Sequence, residues 1–274
     1  MTALFALLPA LRLCAAGLLL FLLACAALCP RCLAGEKRGF ARETLSATGG
    51  VLTSPLRLDR DAALWTGGVA AGTLLAYSYD GQIRHIFGKN HSSLNDSFGS
   101  AFEKAGDGSY GAGLLAVYGG ICYLINHKDG SRTALLGAQA FLAANAAGTL
   151  IKVSAGRARP YADLGKGVFR PYKMKTAYTS FTSGHTTSAF AIASVFARRC
   201  ASPWVGVSAY ALAAGTALER VYDDKHWASD VVAGAALGTA VGRWIASPSR
   251  DKDSALLLPV YTPSYAGAAL TYAF

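Results

Sequence analysis

The chain has 274 residues, 53% of them hydrophobic and only 15% charged, with 30 glycines and a formal net charge of +10. That length affords a sizeable core, and the composition lies on the apolar side of ordinary soluble proteins, so membrane contact is a live question. The six cysteines form neither a disulfide framework nor a zinc signature, and by default they are buried thiols.

Residues 13–29 are an apolar run after Arg12 and before the polar Gly35-Glu36-Lys37-Arg38. Residues 1–34 therefore read as an export signal or an N-terminal anchor rather than part of the fold. Leu22-Leu23-Ala24-Cys25 resembles the lipobox at which bacterial lipoproteins are cleaved and acylated; the alternatives are cleavage near Ala34 or an uncleaved anchor. Residues 35–60, with Thr48-Gly49-Gly50 and Ser54-Pro55, form a linker packed on the domain. Six apolar segments follow, at about 62–78, 110–126, 133–151, 185–198, 204–219 and 228–246. All are too long for strands and rich in Ala and Leu, which predicts an all-α bundle of about six core helices over 61–250. Turn-prone loops separate the first two, and His85, His91 and His127 match no ligand spacing. The tail, 251–274, reads as a short β-hairpin that packs against the helices.

Three blocks carry chemistry, and each falls at helix ends. Lys152 closes the third segment and is followed after six residues by Arg159-Pro160; Thr182-Ser183-Gly184-His185 opens the fourth; Glu219-Arg220 through His226 to Asp230 joins the fifth to the sixth. Three converging helix ends make one site from distant residues. If a helix has begun by His226, Asp230 shares its face and holds one ring nitrogen, leaving the other free to attack. Arg220 offers a planar fork for phosphoryl oxygens. The backbone amides of Ser183 and Gly184, at a helix N-terminus, favour an anion. The interval from Lys152 to Lys175 also holds Arg157, Arg159, Lys166, Arg170 and Lys173 against one acid, Asp163. It has no recognisable nucleic-acid module, so a nucleic-acid partner is not expected.

These blocks resemble the three signature motifs of the type 2 phosphatidic acid phosphatase and haloperoxidase superfamily: Lys, six residues, Arg-Pro; Pro-Ser-Gly-His; and Ser-Arg, five residues, His, three residues, Asp. Thr182 stands for the proline and Glu219 for the serine. The resemblance implies that His226 is the nucleophile, Asp230 its orienting carboxylate and His185 the general acid. It also implies that Lys152, Arg159, Ser183, Gly184 and Arg220 bind phosphate. It calls for no metal and no cofactor. The expected activity is hydrolysis of a phosphorylated lipid or a small soluble phosphomonoester through a phosphohistidine. Glu219 in place of a small hydroxyl is expected to weaken support for Arg220, and Thr182 to loosen the turn before Ser183.

The short fourth and sixth segments favour an exported bundle, soluble or touching a membrane surface, in the cell envelope; an integral-membrane lipid or prenyl diphosphate phosphatase is the alternative. Parity points the same way. If residues 13–29 begin inside and the next three segments all span, Lys152 emerges in the cytoplasm. Three other classes share these residues: a vanadium haloperoxidase, a divalent-metal site on His226 and Asp230, and a non-catalytic anion-binding membrane protein. Nothing in the sequence specifies an oligomeric state.

Overall fold

The computed structural model describes residues 60–92, 96, 99, 102, 103, 107–247, 254–262 and 265–273. The expected leader and nearly all of the linker lie outside the described residues.

Among the described residues, six helices make the bundle, in the order α1 (Arg60–Lys89), α2 (Gly108–Leu124), α3 (Lys128–Ala155), α4 (Gly184–Arg199), α5 (Pro203–Tyr222) and α6 (Ala228–Ile245). The all-α prediction holds. The first helix runs eleven residues beyond the expected 62–78, and its polar last turns are tied inward at two points: Asp80 is fully buried, and the part-buried Arg84 is bonded to Asp224. A count of apolar residues ends such a helix too early, since paired charges occupy its inner face.

Local chemistry sets the ends. Asp107 caps α2 by accepting from the Ser109 amide, and the His127 Nδ1 caps α3 by accepting from Gly130 at 2.9 Å. Helix α3 stops at Gly156, at φ +57°, and a Cβ there would stand 1.8 Å from the Arg170 carbonyl oxygen. Only glycine fits where the loop folds back so closely.

Two buried clusters fill the interior. Leu115, Tyr118, Phe196 and Val205 join α2, α4 and α5, while Leu136, Ala143, Val195 and Val241 join α3, α4 and α6. Helix α6 meets α4 along Gly234, Gly238 and Gly242; a Cβ on each would approach the carbonyl oxygens of Ser183, Thr187 and Ala191 at 2.9, 2.3 and 2.3 Å. This backbone-to-backbone seam brings the start of α4 against the start of α6. The ends of α1, α3 and α5 and the starts of α4 and α6 thus share one end of the bundle. The tail is the expected hairpin, β1 (Ser254–Thr262) antiparallel to β2 (Tyr265–Ala273), with Ser254 opposite Ala273 and Thr262 opposite Tyr265.

Candidate active site

All the expected site residues lie at that shared end. Helix α6 begins at Ala228, so His226 lies in the preceding turn and shares no helical face with Asp230. The turn is set by Asp224, at φ +57°, and by bonds from the Lys225 and His226 amides back to the Arg220 carbonyl. His226 is buried, and its Nδ1 lies 2.8 Å from the Ser180 carbonyl oxygen but 3.9 Å from Asp230 Oδ2. A carbonyl only accepts, so Nδ1 carries the proton and the Nε2 lone pair is left open. The backbone carbonyl fixes the tautomer, and Asp230 adds a charge nearby. Burial pushes the His226 imidazole down to about 4, with Asp230 opposing that shift.

Asp230 is held from three directions. Oδ1 accepts from Arg157, while Oδ2 accepts from the Ser180 hydroxyl and from the Trp227 amide at 3.0 Å, which also caps the helix. Ser180 therefore serves both partners, its carbonyl on the imidazole and its hydroxyl on the carboxylate.

Sequence reasoning missed Arg157 and Asp80. Arg157 is fully buried, and every part of its guanidinium has a protein partner: Nη1 donates to Ser229 and Asp230, Nη2 to Asp80 at 2.7 Å, and Nε and Nη2 to the Lys166 carbonyl at 3.1 Å. The Tyr77, Phe169 and Trp227 rings surround it at 5.0 to 5.6 Å. Asp80 accepts from the Ser229 amide and hydroxyl at 2.9 and 2.6 Å. The one available signal was Asp80, an acid just past the apolar run 62–78, and its sequence neighbour Arg84 points to a local pair rather than to Arg157, 77 residues away.

Arg159 stands two residues on and differs completely. Its Nη2 donates to Thr179 at 3.3 Å, but its buried Nε has no hydrogen-bond partner among the described residues. Burial lowers its guanidinium below the ordinary value. Lys152, mostly buried, makes no hydrogen bond among the described residues, and its Nζ would stand 3.5 Å from a Cβ on Gly184. Lys152, Arg159, Arg220, His185 and His226 lie near enough to act on one another electrostatically. Ser183 caps α4, but its amide donates to the Asp230 carbonyl at 3.1 Å and its hydroxyl accepts from Thr186 at 2.9 Å. The expectation of an unpaired Ser183 amide is thus corrected: the amide ties α4 to α6.

Arg220 ends α5 and is buried. Its Nε and Nη2 form a two-pronged pair with the Glu219 carboxylate, and Nη2 lies 3.4 Å from Glu103. Glu219 thus holds Arg220 directly instead of weakening its support. Among the described residues, Glu103, Glu219 and Asp223 bring three carboxylates within 4.8 Å, and Arg220 supplies a cation to them.

Residues 133–252 match the family described as the PAP2 superfamily. This stretch, a little under half of the chain, holds all three motifs; α1, with Asp80 and Arg84, lies before it. Over 75 residues the chain is 45% identical to a lipid A 1-phosphatase of Porphyromonas gingivalis, covering 26% of this chain and 17% of that protein. Over 91 residues it is 38% identical to a lipid A 1-phosphatase of Rhizobium johnstonii, covering 32% of this chain and 36% of the relative. The chain thus spans well under half the length of these relatives. Among solved structures, Aquifex aeolicus LpxE aligns with TM-score 0.49 at 20% identity, over 61% of this chain and 93% of that one. The first transmembrane PAP2 type phosphatidylglycerolphosphate phosphatase from Bacillus subtilis aligns with TM-score 0.48 at 20% identity, over 65% and 92%.

Proposed function

We propose that this chain is a metal-independent lipid phosphatase of the cell envelope that works through a phosphohistidine on His226. The observation that carries the reading is the contrast of donors around one imidazole. His226 has its Nδ1 committed to Ser180, while the part-buried Lys152 and the buried Arg159 Nε have no hydrogen-bond partner among the described residues. Buried cations without anions are costly unless a ligand completes them. A phosphoryl group offers these donors both negative charge and acceptor oxygens.

In this mechanism His226 Nε2 attacks phosphorus as the bond to the leaving oxygen breaks, and His185 gives that oxygen its proton. Water then attacks the phosphohistidine, with His185 taking a proton from it, and phosphate leaves. Lys152, Arg159 and the part of Arg220 not held by Glu219 stabilise the equatorial oxygens, with Gly184 allowing close approach. The relatives named lipid A 1-phosphatase make the 1-phosphate of lipid A the first substrate to test.

Exposed apolar side chains on four helices favour a bilayer setting: Leu64, Leu74 and Leu75 on α1, Tyr123 on α2, Leu142 on α3 and Trp204 on α5. By length and composition α3, with 28 residues, is the one described helix able to cross a membrane, and half of its most apolar window is buried in the bundle. The active site faces outside the cytoplasm.

The purified full-length protein should release phosphate from lipid A 1-phosphate in excess EDTA and be blocked by vanadate. Activity lost to EDTA and restored by a divalent ion would overturn the metal-free mechanism. Cysteines placed at Asp163 and Arg60, in a background lacking the native thiols, test the setting with an impermeant reagent on spheroplasts. Opposite accessibility marks a spanning bundle, equal accessibility one resting on the surface, and protection at Asp163 contradicts an external site.

A further inference from the structure

Between α3 and α4 the chain runs through residues 156–183 at the active-site end. Its middle returns onto α3: Arg170 donates its amide to the Gly156 carbonyl at 2.7 Å, and Tyr172 donates to the Val153 carbonyl at 2.8 Å. Lys166 fastens the loop to α1 through the Tyr77 and Ser78 carbonyls, both at 3.0 Å. The remaining cations, Arg170, Lys173 and Lys175, alternate with apolar residues that contribute little to the core. Tyr172 and Met174 are each 75% exposed, and Leu164 is exposed beside them in the loop.

Two further observations give this pattern a direction. Tyr172 sits at φ +62°, a left-handed conformation disfavoured for a bulky side chain and far easier for glycine or asparagine. A large ring is displayed where local stability favours a small residue. Its bond to Val153 also places it at the last turn of α3, next to the exposed Leu150 and Ile151, so the apolar face of that helix continues onto the loop.

We propose that residues 164–175 are a membrane-interface element for an anionic bilayer. Tyr172 and Met174 enter the boundary between headgroups and acyl chains, and Arg170, Lys173 and Lys175 pair with lipid phosphates. Tyrosine rings favour that layer, and long cationic side chains bury their stems while keeping their charges in water. The three cations select an anionic over a zwitterionic surface. By lying in this layer the loop offers membrane-borne phosphate to His226; this last step alone rests on the phosphatase reading.

The contact is tested by Tyr172→Cys, carrying an environment-sensitive fluorophore, in the full-length protein without its native cysteines. The protein is reconstituted in phosphatidylcholine vesicles with or without phosphatidylglycerol. Quenching by shallow nitroxide lipids and protection from aqueous iodide, both stronger with phosphatidylglycerol, are expected. Quenching by iodide alone in both vesicle types overturns the proposal. A kinetic arm uses Tyr172→Asn, which eases the backbone and should melt no lower than wild type, and the triple change Arg170→Gln, Lys173→Gln and Lys175→Gln. The triple variant should raise KM for vesicle-borne lipid phosphate roughly fivefold per cation removed, and Tyr172→Asn should raise it as well. Both should leave kcat/KM on a soluble phosphomonoester unchanged. Equal loss on both substrates overturns the proposal, because it places the loop in the chemistry. Hydrolysis of neither substrate by the wild type counts against the phosphatase reading and leaves the quenching result standing.

Discussion

Arg157, fully buried, and Arg159, part-buried with an enclosed Nε, are two residues apart at the same end of one bundle, and they do opposite things. Arg157 has protein partners along the whole guanidinium and ties α1 to α6 through Asp80 and Asp230. Arg159 keeps a buried Nε without a partner beside Lys152 and His226. One guanidinium holds the fold; the other is the one proposed to meet phosphoryl oxygens. The difference shows that burial and charge do not identify a ligand-binding cation, whereas an account of its donors does.

The widest separation is expected at His226. His226→Ala should abolish turnover, a loss on the order of 10⁴-fold or more, and should prevent the acid-labile, base-stable label that a phosphohistidine gives after acid quench of radioactive substrate. In the wild type, burial holds this imidazole near 4, and the neutral form is the nucleophile. Activity limited by this group therefore persists below pH 6 and falls as pH drops through about 4, as a pH-rate profile would reveal. An acid limb centred at the ordinary histidine value contradicts the buried setting.

Next comes His185→Ala, with a loss of about 10²- to 10⁴-fold on substrates with poor alcohol leaving groups and a much smaller one on nitrophenyl phosphate, which departs unaided. Equal losses on both substrates would remove His185 as proton donor. The same substitution at the two arginines then sharpens the opening contrast. Arg157→Met strands the buried Asp80 and Asp230 and should cost about 3–5 kcal/mol of stability, read by thermal or denaturant unfolding. Arg159→Met should melt at or above the wild-type temperature while losing about 10²- to 10³-fold in turnover. If the two variants exchange these signatures, the assignment of roles is wrong.

The smallest expected effect concerns Arg220, which lies between the two extremes because Glu219 occupies its Nε and Nη2 edge. Glu219→Gln removes a competing charge and should tighten vanadate inhibition by up to roughly tenfold, with little change in unfolding. Weaker inhibition would mean that Glu219 orients Arg220 for phosphate rather than competing with it.

The sequence was legible where chemistry is local or tightly spaced. The six apolar segments and the three motif blocks follow from composition and spacing, and a helix appears at each apolar run. The His226–Asp230 relation was only half legible. Four residues suggested one helical face, but α6 starts at Ala228 and a carbonyl 46 residues earlier, that of Ser180, takes the imidazole proton. Residue spacing cannot distinguish a helical turn from the turn before a helix.

By itself, then, the sequence determined which groups could handle a phosphate, because residue type sets charge, nucleophilicity and donor geometry. It also determined that six helices would carry them. The tertiary structure decided which of those groups are available. Arg157 is removed from the anion by Asp80, 77 residues away, and the Ser183 amide by the carbonyl of Asp230. Arg220 is partly engaged by its own neighbour, while the Arg159 Nε has no partner among the described residues. The reason is that a hydrogen-bonding group is defined by the partner it lacks as much as by its own chemistry, and partners from distant turns meet only when the helices pack.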